Sequence, residues 1–104
     1  MIKDKDGVWT FMNTLQLAEV LISITDEQTM RNFLRDILTE TEILEISARL
    51  EAARLLSKRE KYDSIIRKTK LSSRTVARIS DWLKDGCNGY AAALSILAQH
   101  HDHI

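Results

Sequence analysis

Residues 62–83, YDSIIRKTKLSSRTVARISDWL, decide the fold, because their spacing describes two short amphipathic helices separated by a polar break. Tyr62, Ile65, Ile66 and Thr69 fall at i, i+3, i+4 and i+7 and share one helix face. Lys70-Leu71-Ser72 interrupts that pattern. A second stripe, Val76, Ile79 and Leu83, then leaves Ser73, Arg74, Ala77, Arg78 and Asp81 mostly off it. Ile65, Ile66, Val76 and Ile79 must meet inside the elbow to fix the angle of the second helix. This is the pattern of a helix-turn-helix, whose second helix offers small polar and cationic side chains to a DNA major groove. It is a pattern for binding rather than for catalysis.

The distribution of charge agrees. The chain is formally neutral, with 15 Lys+Arg and 15 Asp+Glu. Residues 1–48 hold four basic groups against nine acidic ones, whereas residues 49–84 hold eleven against four. The neutral total conceals a basic middle, and the helix-turn-helix lies within it. Each Lys or Arg that meets a phosphate releases condensed counterions, which gives salt-sensitive affinity and electrostatic steering.

Length and composition bound the remaining possibilities. At 104 residues the chain is expected to be a single helical DNA-binding domain over 1–104, with a modest core. It has no proline and three glycines, so hairpin turns are poorly supplied and long helices go unbroken. No segment approaches the roughly eighteen uninterrupted apolar residues of a membrane span. The N-terminus, MIKDKDGVW, lacks the order of charge then apolarity that marks a signal peptide. The lone Cys87 has no disulfide partner in the chain and fits a reducing, cytoplasmic setting.

About six helices follow from periodicity and capping signals, giving an all-α fold. A helix over about 8–24 (VWTFMNTLQLAEVLISI) is apolar on more than one face. Thr25 and Gln28 have capping-box spacing and open a helix striped by Met30, Phe33, Leu34, Ile37 and Leu38. Thr39 and Glu42 repeat the box before the longest helix, 40–57. Asp85-Gly86 ends the second helix of the motif, with Gly86 expected in the left-handed conformation. The last helix, 89–99, carries almost no charge. Helices apolar on nearly every side must be buried on nearly every side. A homodimer that intertwines the first and last helices meets that need. It also spaces two recognition helices about one DNA turn, roughly 34 Å, apart.

The stretch from Leu38 to Tyr90 resembles the tryptophan repressor superfamily, and its YerC/YecD group most closely. LTETEILEISARLEAARLL, a Thr-capped helix leading to Arg-Leu-Glu-x-Ala-Arg, and SSRTVARI, the recognition helix, carry the likeness. The resemblance implies a six-helix, intertwined homodimer that regulates transcription on double-stranded DNA. It also implies an effector pocket at Thr39, Arg49, Arg78, Ile79 and Trp82, where the family's best-known member holds L-tryptophan. Two departures argue against that ligand, since Ile79 replaces a glycine and Trp82 a small serine, both adding bulk. Trp82 is then a candidate to fill the pocket itself. No cofactor is expected. A third departure is Lys70, which stands where the family commonly has glycine at the left-handed corner of the motif.

Roles on DNA follow from side-chain chemistry. Ser72, Ser73, Arg74 and Thr75 open the recognition helix, the end that meets base edges. Arg74 can bond both acceptors of a guanine, and Ala77 can touch a thymine methyl. Arg67, Lys68, Lys70 and Arg78 suit phosphates, which position without specifying sequence. The rival is a dimeric helical interaction module that binds protein or RNA through the same surface. His100, His101 and His103 are expected to be a tail rather than a metal site. No phosphate loop, nucleophile elbow or carboxylate pair suggests an enzyme.

Overall fold

Helix ends and their caps divide this chain. The computed structural model describes residues 7–101, apart from the side chain of His101. Among these residues stand a short 3-10 turn (Val8–Thr10) and six α-helices, and no strand. The helices are α1 (Met12–Ser23), α2 (Glu27–Ile37), α3 (Glu40–Ser57), α4 (Tyr62–Thr69), α5 (Ser73–Asp85) and α6 (Gly89–His101). The all-α class and the helix order expected from the sequence are observed. Among the described residues two compact units emerge, one up to Leu44 and one from Glu45 onward.

The first two α-helices depart from expectation at their starts. The helix expected over about 8–24 is broken at Phe11, which is extended (φ −97°, ψ 143°) between the 3-10 turn and α1. Phe11 caps α1 with its carbonyl alone, accepting from the Leu15 amide at 3.2 Å and the Thr14 hydroxyl at 2.9 Å. The start of α2 is set one residue later than the Thr25 box predicted. Asp26 is the cap, its Oδ2 accepting from the Thr29 amide at 2.9 Å. A carboxylate satisfies a first-turn amide as well as a hydroxyl does and also complements the helix dipole. That amide bond holds the Asp26 carboxyl below its ordinary pKa. Gln28, freed from capping, donates to Asn32 instead.

The third helix starts as the sequence predicts. The Thr39 hydroxyl accepts from the Glu42 amide at 3.1 Å, and Glu42 Oε1 accepts from the Thr39 amide at 2.9 Å. Two otherwise unbonded amides are thereby satisfied reciprocally.

The second unit contains the core. Ala52, Ala53 and Leu55 of α3, Ile65 of α4, and Val76 and Ile79 of α5 are buried together. Ile66, Leu71, Leu83, Tyr90 and Leu94 pack against this cluster half-buried. Ile65, Val76 and Ile79 are fully enclosed. The elbow thus closes on the residues the spacing selected. The end of α5 corrects one expectation, because Gly86 is not left-handed (φ −84°, ψ −147°). Glycine is required there by proximity, since a Cβ would lie 2.5 Å from the Trp82 carbonyl oxygen. The left-handed residue before α6 is Asn88 (φ 67°), a type that tolerates this conformation.

Ile65→Ala removes an enclosed side chain at the centre of the cluster and is expected to cost about 2–5 kcal/mol. Thr39→Ala, which opens one capping box, is expected to cost only about 1 kcal/mol. Denaturant titration followed by circular dichroism distinguishes the two magnitudes.

Candidate nucleic-acid interface

Basic side chains lie on the outside of the helix-turn-helix because its apolar stripes turn inward. Arg67, Lys68, Lys70, Ser72, Ser73, Arg74 and Arg78 are exposed, and Thr75 and Ala77 are half-buried. None of the nine residues proposed for DNA is enclosed in the core.

The turn is built by short local bonds. Lys70 adopts the left-handed conformation (φ 66°, ψ 14°), and its amide donates to the Ile66 carbonyl at 2.8 Å. The Thr69 hydroxyl donates to the Ile65 carbonyl and accepts from the Leu71 amide. Ser72 caps α5, its Oγ accepting from the Thr75 amide at 3.1 Å. The Ser72 hydroxyl in turn donates to Thr75 Oγ1 at 3.1 Å. Two of the polar groups expected to face bases are therefore already engaged in shaping the helix start. Thr75 retains its hydroxyl proton for an acceptor outside the protein.

The cations divide into paired and unpaired groups. Lys68 Nζ lies 2.6 Å from Glu60 Oε2, which also accepts from the Ser64 hydroxyl at 3.2 Å. Arg54 holds Glu51 in a fork, Nε to Oε1 at 2.9 Å and Nη2 to Oε2 at 2.6 Å. These hydrogen bonds depress both carboxyls, Lys68 acting chiefly on Glu60 and Arg54 on Glu51, and the bond to Glu51 raises Arg54 in turn. Among the described residues no ion pair joins Arg67, Lys70, Arg74 or Arg78 to an acid. Those four carry their charge freely to an outside anion. Glu60 was not singled out from the sequence. Its only signal is the spacing to Ser64 and Lys68, four and eight residues on, and it lies just ahead of the helix where such spacing has meaning.

The residues expected to form an effector pocket have diverse surroundings. Ile79 is fully buried in the core, and Arg78 is exposed. Arg49 Nη2 bonds Glu45 Oε2 at 2.9 Å, while its Nε is buried without a partner. Thr39 belongs to the first unit and caps α3. Trp82, 45% exposed, forms a wall of an apolar groove of about 540 Å³ with Ile46, Leu50, Gly86, Cys87, Gly89, Tyr90 and Ala93. Among the described residues no cluster of His, Cys, Asp or Glu could hold a metal ion. His103 and the side chain of His101 lie outside the described residues. No described helix is long and apolar enough to cross a membrane.

Fold and surface define a class: an all-helical protein with a helix-turn-helix on a basic face. The family model described as Trp repressor protein matches residues 12–98. The chain is 33% identical over 79 residues to the uncharacterised protein YerC of Bacillus subtilis strain 168, covering 76% of each. A TrpR-like protein from Eubacterium eligens superposes with a TM-score of 0.81 at 29% identity, over 88% of this chain and 95% of that one. A candidate Trp repressor from Staphylococcus aureus shares the fold with a TM-score of 0.82 at 20% identity, over 91% and 95%. The chain belongs to the Trp repressor family and is YerC-like within it.

The Glu60 contacts have a pH signature. Its folded pKa lies below the unfolded value, near 4.3 for a glutamate. Its contribution is therefore fully present above that value and is lost as pH falls through the folded one. Thermal melts of the wild type and Glu60→Gln are expected to differ near neutrality and to converge as the medium is acidified below about pH 4. A constant gap across that range would show that the carboxylate charge is not the stabilising feature.

Proposed function

We propose that this protein is a cytoplasmic, sequence-specific DNA-binding regulator of transcription, a repressor that acts as a homodimer. The observation that carries the reading is the set of unpaired exposed cations, Arg67, Lys70, Arg74 and Arg78, on a helix-turn-helix whose apolar side is sealed. Membership of the Trp repressor family supports it. Arg74, in the first turn of α5, reads a guanine edge, with Ser72, Ser73, Thr75 and Ala77 beside it. Arg67, Lys70 and Arg78 meet phosphates, and Lys68 joins them by exchanging Glu60 for a phosphate.

Support for a dimer comes from apolar surface that a single chain leaves in water. Phe11, Met12, Ile22, Leu44 and Ile96 are 54–81% exposed, and no residue of α1 or α2 is buried. Tryptophan is not required in this reading. Ile79 is committed to the core, and Trp82 occupies a position where the resemblance places a small side chain in contact with ligand.

The decisive experiment is selection of retained sequences from a randomised duplex pool at near-physiological salt. The expected product is a near-palindrome with half-sites about 10 base pairs apart. Arg74→Ala should then bind all duplexes more evenly, losing about 1–3 kcal/mol of discrimination at one base pair. An absence of enrichment with and without tryptophan, together with saturable binding to a protein or RNA, would replace this reading with an interaction module. Light scattering coupled to gel filtration is expected to give twice the 11.9 kDa chain mass. Ile22→Asp, which places a charge on the most exposed apolar residue of α1, is expected to shift that mass toward one chain.

A further inference from the structure

Among the described residues, three non-glycine residues have positive φ: Arg59 (64°), Lys70 (66°) and Asn88 (67°). Asn88 is a residue type that accepts this conformation readily. The other two are long cations that flank α4, Arg59 three residues ahead of its first residue and Lys70 at its C-cap. Arg59 occupies the position after the end of α3 where a Schellman motif favours glycine. Its amide donates to the Leu56 carbonyl at 2.9 Å, and the next amide, of Glu60, donates to the Leu55 carbonyl at 3.1 Å. Those two bonds fix the backbone, and both would form equally with glycine at residue 59. The side chain of Arg59 is exposed, and no ion pair engages it among the described residues. Its neighbours Arg54 and Lys68 do have carboxylate partners. Local folding thus explains the bonds at this corner but not the presence of arginine.

We infer that Arg59 is a DNA phosphate anchor, which with Lys70 holds the duplex backbone on either side of α4 in the sequence. The inference rests on the DNA-binding reading above. The first helix of a helix-turn-helix crosses the DNA backbone rather than entering the groove. Cations that flank such a helix suit phosphates of the strand it crosses. A guanidinium forms two parallel bonds to a phosphate, a reason for arginine that the backbone alone does not supply.

The test pairs stability with affinity in the full chain. Arg59→Gly relieves the left-handed corner, so its melting temperature should rise, on the order of 4 °C. Its affinity for a generic DNA duplex should nevertheless fall, roughly threefold or more, and the salt slope should drop by about 0.9 per protomer. Arg59→Lys, which keeps the charge but not the two parallel bonds, should retain the slope and lose part of the affinity. Arg59→Asn, conformationally tolerant but uncharged, should bind like Arg59→Gly. Wild-type binding with an unchanged affinity and slope in Arg59→Gly overturns the anchor while leaving the DNA reading intact. A lower melting temperature for Arg59→Gly also overturns it, because the corner would then be no reason to look beyond the fold. A wild type that binds no duplex even at low salt, or binds only RNA, overturns both readings.

Discussion

Ala52 and Ala53 are enclosed with Ile65, Val76 and Ile79, and this meeting of two methyl side chains with three branched ones is the constraint from which the rest follows. The two alanines of α3 add little bulk to the cluster, and the branched residues fill it without conformational slack. Because Ile65 lies on α4 and Val76 and Ile79 on α5, one cluster fixes both helices of the motif. Exchanging any of the three for a smaller residue would loosen the angle at which α5 is presented as well as lowering stability. The proposed DNA-facing surface therefore owes its shape to residues of the core.

Packing determines which charges are available. A stripe turned inward turns the intervening positions outward, so Arg74 and Arg78 project from α5 because Val76 and Ile79 do not. The acids then sort the cations further. Glu51 engages Arg54, and Glu60 engages Lys68, whereas the cations of the turn and of α5 have no such partners. Exposed pairs of this kind contribute little to stability. Their larger effect is to occupy Arg54 and Lys68 while Arg67, Lys70, Arg74 and Arg78 stay unpaired among the described residues.

Sequence periodicity located α3, α4 and α5 to the residue or nearly so, because apolar stripes and the Thr39–Glu42 box are local signals that tertiary contacts reinforce. It failed where two residue types compete for one role. Thr25 and Asp26 are both competent caps, and spacing to Gln28 favoured the wrong one. Phe11 interrupts the first helix through its backbone, which no side-chain pattern announces. Gly86 was correctly placed at a helix end for the wrong reason: close approach to the Trp82 carbonyl, rather than positive φ, demands it. The outward placement of the proposed DNA residues was legible, since it is the complement of the core stripe. The partnership of Lys68 with Glu60 and the left-handed corner at Arg59 were not, because each depends on how the chain turns between α3 and α4.

The first unit presents a different physical problem. Its helices α1 and α2 bury no residue completely, yet Phe11, Met12 and Ile22 expose more than half their surface. Each apolar side chain left in water forgoes roughly 1.5–3 kcal/mol of burial, a deficit large beside the total stability of a small domain. Covering these side chains with a second copy would make the order of α1 and α2 depend on association and hence on protein concentration. For the proposed regulator that dependence has a consequence on DNA. Two reading heads would be joined only where the chain is abundant enough to pair, and a lone chain, with half the phosphate contacts, would bind weakly and without symmetry. The apolar character of the first unit would then act as a concentration threshold for occupying a palindromic site.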